Sequence, residues 1–302
     1  MNKQVQLCAL LLALSCATPP PGAAQPLAPF LLHHSGPAEL KYTGYLARSN
    51  DRGTPGQMKE AFFGAGYLTS IHQLGNPALA FWQQGQDNQS ISFMLYGAAD
   101  AAIVRGGSFG NQIYSTGCTN PAFGCDGKIH LDFYLDRLQG GSNPGFALGG
   151  LKASERSAFN RIGGITDGEL LMRWEFTPGL IDAPRAGVDR ASFAATATTL
   201  LQDLSSPSFP AAGNSAYLAR CAGGPACRYF STGSQSGGAD FFGYNSLNTV
   251  LASSVLGRNG WGSRIADPVV SQVFLPEPDA LLLLGTGLLA MGFGVQGRRR
   301  GW

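Results

Sequence analysis

Lys128-Ile129-His130-Leu131-Asp132-Phe133-Tyr134-Leu135-Asp136 alternates apolar and polar side chains without a break. Successive side chains of an extended chain point to opposite faces. Ile129, Leu131, Phe133 and Leu135 therefore share one face, and His130, Asp132, Tyr134 and Asp136 share the other. The first face predicts burial and the second predicts solvent, the pattern of a half-buried antiparallel strand. Similar strands are expected at 63–72, 78–82, 90–97, 101–105, 169–176, 215–220 and 239–246, most of them separated by clusters of Gly, Pro, Asn and Asp. At 192–204 Ala and Leu would also suit a helix. There Phe193, Ala195, Ala197 and Thr199 alternate with Ala194, Thr196 and Thr198, and Thr disfavours helix, so 192–201 reads as a strand.

Long helical periodicity is missing from the body, and composition agrees with β structure. The 302 residues include 42 Gly and 18 Pro without a fixed period, with 18 Phe, 9 Tyr and 4 Trp to fill a core. Many turns between short strands follow. The expected fold is all-β, an antiparallel β-sandwich in one large domain over 61–255, whose two sheets bury their apolar faces against each other. Residues 25–60 read as a loosely structured lead-in. Residues 256–275, with Gly257, Gly260, Gly262 and Pro268, read as a spacer.

The two ends carry signals of another kind. Lys3, the apolar stretch 7–14 and the small residues after it form a signal peptide over 1–24. Cleavage after Ala24, following Gly22-Ala23-Ala24, is favoured over the lipobox-like Ala13-Leu14-Ser15-Cys16, in which Ala13 stands where Leu is preferred. At the other end Pro276-Glu277-Pro278 precedes an almost uninterrupted apolar run from Ala280 to Val295, and Arg298-Arg299-Arg300 follows it. Sixteen helical residues reach about 24 Å, just enough to cross a thin bilayer, and three arginines stay on the cytoplasmic side.

Handle, span and basic terminus in this order over 276–302 closely resemble the PEP-CTERM sorting signal of exported Gram-negative bacterial proteins. The resemblance implies processing near Pro276-Glu277-Pro278 by an exosortase, a membrane-embedded cysteine transpeptidase. It also implies an inner-membrane stage before delivery to the cell envelope or extracellular matrix. In the body, Gly66-Tyr67-Leu68-Thr69-Ser70-Ile71, Phe81-Trp82, Gln86-Asp87-Asn88 and the strand 91–97 loosely resemble flocculation-associated members of that group. So do Gly213-Asn214-Ser215-Ala216-Tyr217-Leu218 and Gly237-Gly238-Ala239-Asp240-Phe241-Phe242. The loop from Cys221 to Cys227 departs from the pattern.

Charge and cysteine usage narrow the function. The net charge of +2 comes from 21 Lys plus Arg against 19 Asp plus Glu. Setting aside Lys3 and Arg298–Arg300 on one side, and Glu277 and Asp279 on the other, leaves the body formally neutral. A nucleic-acid footprint has no support. Cys8 and Cys16 fall in the leader, leaving Cys118, Cys125, Cys221 and Cys227 of six. In an oxidising compartment two short loops rich in Gly and Pro read, on proximity, as local disulfides 118 with 125 and 221 with 227, one of three possible pairings. A zinc site needs tighter spacing or nearby histidines.

Catalytic motifs are sparse. Gly106-Gly107-Ser108-Phe109-Gly110 satisfies G-x-S-x-G, yet the turn-rich 111–121 offers no helix for a nucleophile elbow, and His130 is the only histidine after Ser108. His130, Asp132 and Asp136 share a strand face and a solvated face predicts the same letters, so no metal is assigned. Asp87-Asn88 and Asp126-Gly127 read as turn formers. Tyr134 and Trp261 are the candidate glycan contacts, as aromatic rings on an exposed β face, whereas Trp82 and Trp174 lie in apolar patterns and read as core. The expectation is a non-enzymatic cell-surface or exopolysaccharide-matrix (biofilm or floc) protein without cofactor. Its rivals are a carbohydrate-binding module and an envelope hydrolase built on Ser108 or on carboxylates such as Asp132 and Glu169.

Overall fold

The computed structural model describes residues 36–50, 53–107, 110–121, 124–137, 150–179, 181–182, 190–197, 213–265 and 270–275. The expected signal peptide and sorting tail lie outside the described residues. Sixteen strands occur among them: β1 (Gly36–Arg48), β2 (Phe62–Gln73), β3 (Asn76–Gln83), β4 (Gln89–Gly107), β5 (Gly110–Gly117), β6 (His130–Arg137), β7 (Arg156–Ala158) and β8 (Arg161–Ile162). The rest are β9 (Glu169–Phe176), β10 (Ile181–Asp182), β11 (Arg190–Ala191), β12 (Phe193–Ala197), β13 (Gly213–Gly223), β14 (Phe241–Thr249), β15 (Ser263–Ile265) and β16 (Val270–Leu275). Of the ambiguous segment 192–204, residues 193–197 form β12, and 198–204 lie outside the described residues.

The fold is all-β and antiparallel, as the alternation requires. Twelve strands form one sheet in the order β12-β5-β4-β6-β9-β13-β14-β15-β1-β2-β3, with β16 pairing both β1 and β14. Two further pairings, β2 with β4 and β12 with β13, bring this path back on itself. The 19-residue β4 makes the closure possible. Its Ser92 to Leu95 pair with β6 and with β2 at once, so those strands hold opposite edges, and its second half pairs with β5. The inner faces pack on each other as in a sandwich, but the strands are joined in one continuous barrel-like surface. Closing a sheet satisfies the N–H and C=O groups that edge strands leave open.

Three expectations are corrected. Residues 36–48, inside the expected lead-in, form β1, which pairs with β2 along its length and buries Leu40, Tyr42 and Leu46 in the core. Residues 263–265 and 270–275, inside the expected spacer, are β15 and β16, paired with both β1 and β14. Of residues 111–121, read as turn-rich, 111–117 belong to β5, held between β4 and β12.

The interior is aromatic. Phe93 packs against Tyr42 and Phe133, and Phe176 stacks on Tyr217 at 4.3 Å between centroids. Room for Phe93 comes from Gly44 and Gly66 on neighbouring inner positions, where an added Cβ would lie 2.7 and 2.6 Å from its ring. Two buried phenols need partners in such a medium. The Tyr42 hydroxyl donates to Asn245 Oδ1 at 2.6 Å and meets the Tyr217 hydroxyl at 2.5 Å. Burial, with the Tyr42 hydroxyl beside it, pushes the Tyr217 phenol well above its ordinary pKa.

A second apolar layer lies outside the sheet. Leu151, Ile162 and Ile165 from the β6–β9 connection and Val250 and Trp261 from the β14–β15 connection cover Tyr45, Phe63, Met94, Tyr96 and Tyr134 on the outer face of β1, β2, β4 and β6.

Candidate functional site

The polar side of the strand that opened the sequence lies beneath this cover. His130 and Asp132 are 4% and 0% exposed, so the expectation of a solvated outer face is corrected. The reason is the second layer, which the alternation of β6 cannot report. A carboxylate without water needs compensating charge and donors. Asp132 receives Arg173 Nε at 2.9 and 3.1 Å and Nη2 at 2.7 Å, the forked geometry that suits guanidinium to carboxylate. It also accepts the Tyr96 hydroxyl at 2.9 Å and the Tyr134 hydroxyl at 3.4 Å. Strand register places these groups: Asp132 lies opposite Met94 on β4 and Arg173 on β9.

The electrostatics agree with a locked network. The Tyr96 and Tyr134 phenols are pushed up by burial and then by the Asp132 charge. The Arg173 guanidinium is raised by its hydrogen bonds to Asp132. One turn of the pleat away, His130 Nε2 sits 3.0 Å from an Asp126 oxygen while its ring stacks on Tyr96 at 4.9 Å. At Asp126 partial burial works upward, but the bond and charge of His130 and the Lys128 amide hold the carboxyl below its ordinary range.

Asp136 stands apart. Burial and then the Asp167 charge push its carboxyl up to about 6, against a hydrogen bond from Ser92. A further buried pair, Glu60 with Arg156, fixes the covering segment to the sheet at 2.5 and 2.9 Å, and Glu60 also accepts the Gly97 amide.

The three candidate ligands His130, Asp132 and Asp136 share a face, yet each is engaged separately: with Asp126, with Arg173 and the two tyrosines, and beside Asp167. Among the described residues no group of three or more His, Cys, Asp or Glu side chains is placed to hold a metal ion. His130 does not present a nitrogen to a substrate, since Nε2 faces Asp126 and Nδ1 is buried. The Asp132–Arg173 fork is a structural ion pair.

The proposed glycan contacts are also corrected. Trp261 is 1% exposed, lies 5.9 Å from the Tyr45 ring and 6.0 Å from the Phe63 ring, and donates its indole N–H to Leu151 O at 2.7 Å. Tyr134 is 8% exposed and committed to Asp132. Neither ring faces solvent, because both belong to the layer between sheet and cover. Trp82 and Trp174 are core residues, as their apolar settings predict.

Ser108 lies outside the described residues. Its flanking glycines, Gly107 and Gly110, pair with each other across β4 and β5, a strand-to-strand connection where a nucleophile elbow needs strand-to-helix. Glu169 is exposed at the start of β9, opposite Leu135. Asp87 and Asn88 adopt left-handed φ values of 54° and 56° in the turn between β3 and β4, as turn formers do. The disulfides join Cys118 to Cys125 and Cys221 to Cys227. The second ties the end of β13 to the short helix Cys227–Phe230, whose Phe230 packs against Trp174.

Sequence reasoning missed Arg173 and Tyr96. The signal for Arg173 was a lone cation inside the apolar strand 169–176. The sorting residues Pro276, Glu277, Pro278, Arg298, Arg299 and Arg300 lie outside the described residues.

The interior cavity beside Tyr42, Tyr217 and Asn245 measures about 20 Å³. That gives room for about one water molecule among aromatic and aliphatic side chains. Compared with family models, with curated proteins and with solved structures, the chain finds no match.

Proposed function

We propose that the chain is an exported exosortase substrate that works as a non-enzymatic cell-surface or exopolysaccharide-matrix protein, carried on a sandwich-type β scaffold. The observation that carries this reading is the ordered tail of Pro276-Glu277-Pro278, the apolar run 280–295 and Arg298–Arg300, matched by a signal peptide at the other end. Two local disulfides support an oxidising destination. In this reading the protein passes through the inner membrane of a Gram-negative cell, is processed by the exosortase, and is delivered to the envelope or matrix. The body contributes surface and rigidity. Its most chemical-looking groups, His130 and Asp132, spend their hydrogen bonds on Asp126, Arg173 and tyrosines, which supports binding without turnover.

Two measurements test it. Fractionation of a producing strain should find the protein unprocessed or mis-sorted when Arg298–Arg300 are changed together to Gln; unchanged processing and location sink the sorting assignment. The purified protein incubated with the producer's exopolysaccharide should be retained on the polymer without shortening it. Time-dependent depolymerisation would overturn the non-enzymatic reading.

A further inference from the structure

The end of β16 and the start of β1 meet at one rim of the barrel-like surface. Leu275 closes β16 and pairs with Gly36 at the start of β1, and the Pro37 carbonyl accepts the Leu74 amide from the β2–β3 turn at 3.1 Å. Leu275, Gly36 and Leu74 therefore stand side by side at the ends of three neighbouring strands, about 10 Å from first to last. On the other side of β16, the short helix Cys227–Phe230 of the β13–β14 connection lies against that strand.

The two connections that flank β16 are unlike the rest of this rim. Pro77, Ala78 and Leu79 bulge out of register, since Ala80 pairs with His72 and Asn76 with Gln73. All three are exposed, Leu79 to 51%. Residues 73–80 and 221–239 together contain one formal charge, the exposed cation Arg228, whose guanidinium lies 4.5 Å from the centre of the Tyr229 ring. The acids next to them are withdrawn: Asp240 is buried, Glu39 is buried beside Lys41, and Asp87 is set back by the length of β3. Charges gather instead where β6 ends and β9 begins, with β13 and β14 between them and β16. Arg137, Asp167 and Glu169 are exposed there and Asp136 is half-buried.

Four residues, 276–279, separate Leu275 from the apolar run that begins at Ala280. Fully extended, they span at most about 18 Å. The run covers about 24 Å of a hydrocarbon core of about 30 Å, so it has no length to spare, and the headgroup layer above it is about 5–8 Å deep. A body tethered this closely keeps its rim at the lipid surface, and what remains is which part of the rim faces down. An exposed Leu beside Pro and Ala suits the boundary between headgroups and acyl chains, and a cation beside an aromatic ring meets lipid phosphate. The acidic stretch at β6 and β9 is repelled by anionic lipid.

We infer that the β2–β3 hairpin tip and the loop 221–239 form a contact surface for an anionic lipid bilayer, so that the barrel tilts with its β16 side down and its β6–β9 side raised. The inference rests on the membrane-anchored stage of the proposed function and adds an orientation to it: the Pro276-Glu277-Pro278 handle is held at the headgroup layer.

The test uses the full chain in vesicles of equal parts phosphatidylcholine and phosphatidylglycerol, with Cys8 and Cys16 changed to Ser so that an introduced cysteine is the free thiol. One nitroxide at a time is placed on Ala78→Cys or Ser231→Cys, on Glu169→Cys across the same rim, and on Arg105→Cys in the far half of β4. Thermal melts establish that each variant folds, and flotation after an alkaline wash reports insertion of the apolar run. Collisions with oxygen, which concentrates in lipid, and with a water-soluble nickel chelate give each label's depth. Support is an oxygen-to-nickel ratio at least fivefold higher at Ala78 and at Ser231 than at Glu169 and Arg105. In inserted protein, a ratio at Ala78 or Ser231 no higher than at Glu169 overturns the contact surface and leaves the membrane-anchored stage standing. Failure of the full chain to float removes that stage and the contact surface with it.

Discussion

Replacing Arg173 with Gln should be among the most damaging single changes at a partly exposed position of this protein. Asp132 is 0% exposed and takes three nitrogen contacts of 2.7 to 3.1 Å from Arg173, so the change leaves a carboxylate under the outer cover with only the Tyr96 and Tyr134 hydroxyls. Breaking a buried pair from one side costs about 3–5 kcal/mol. The Arg173 side chain is 34% exposed, so water replaces part of the lost interaction and the low end, about 3 kcal/mol, applies. In a domain of this size that is a fall in Tm of about 6–12 °C. The partner change sharpens the argument. Asp132→Leu with Arg173→Met removes both charges and fills similar volume, so the double variant should recover most of the loss, because an apolar pair escapes the desolvation that the ion pair must offset. Urea unfolding at neutral pH with the disulfides intact compares both variants with the wild type. A loss under about 1 kcal/mol for Arg173→Gln, or a double variant no more stable than Arg173→Gln, refutes the view of Asp132 as a buried charge held by Arg173.

The Asp136 carboxyl, raised to about 6 by burial and by Asp167, makes the folded state hold a proton more tightly than the unfolded chain, whose Asp pKa is about 3.9. Its stabilising contribution is therefore complete below about pH 4 and lost as pH rises through about 6. Asp136→Asn should stabilise the protein by about 1 kcal/mol at pH 7, after discounting for partial exposure, and by nothing at pH 3.5; equal effects at both pH values would contradict the assignment. Trp261→Ala should cost about 3–5 kcal/mol in urea unfolding, as expected for a buried indole that also loses its bond to Leu151, and a cost under 1 kcal/mol would restore the exposed-aromatic reading. Changing Cys118 and Cys125 together to Ser opens a loop of only seven residues, so the loss should be about 2 kcal/mol with the fold retained; complete unfolding at 25 °C would give the bridge a larger role.

Alternation is a property of neighbouring residues, and it was enough to locate most of the sheet. The strand 169–176 matches β9 at both ends, and 63–72, 128–136, 215–220 and 239–246 fall on β2, β6, β13 and β14 within a few residues. Proximity in sequence likewise gave both disulfide pairs, since short loops close more readily than long ones. Where the local signal was weak, strands were made by their partners. β5, Gly110-Asn111-Gln112-Ile113-Tyr114-Ser115-Thr116-Gly117, has few good strand formers and exists between β4 and β12. β1 lost its clean alternation because Tyr45 and Ala47 face an outer layer instead of water, and two of its partners, β15 and β16, lie more than 200 residues away.

The chemistry of the outer face depended on tertiary structure for the same reason. A period of two says that His130, Asp132, Tyr134 and Asp136 share a side, but not whether that side meets solvent. The segments around Leu151 to Ile165 and Val250 to Trp261 decide it by folding over the sheet, and Arg173, 41 residues from Asp132, supplies the compensating charge. The sequence by itself determined which residues alternate, where most of the turns fall and which cysteines lie near each other, because those depend on contacts a few residues apart. Only the tertiary structure decided that the sheet closes, that a second layer covers one flank, and that the β2–β3 turn comes to lie beside the end of β16, because each is set by pairing between distant strands.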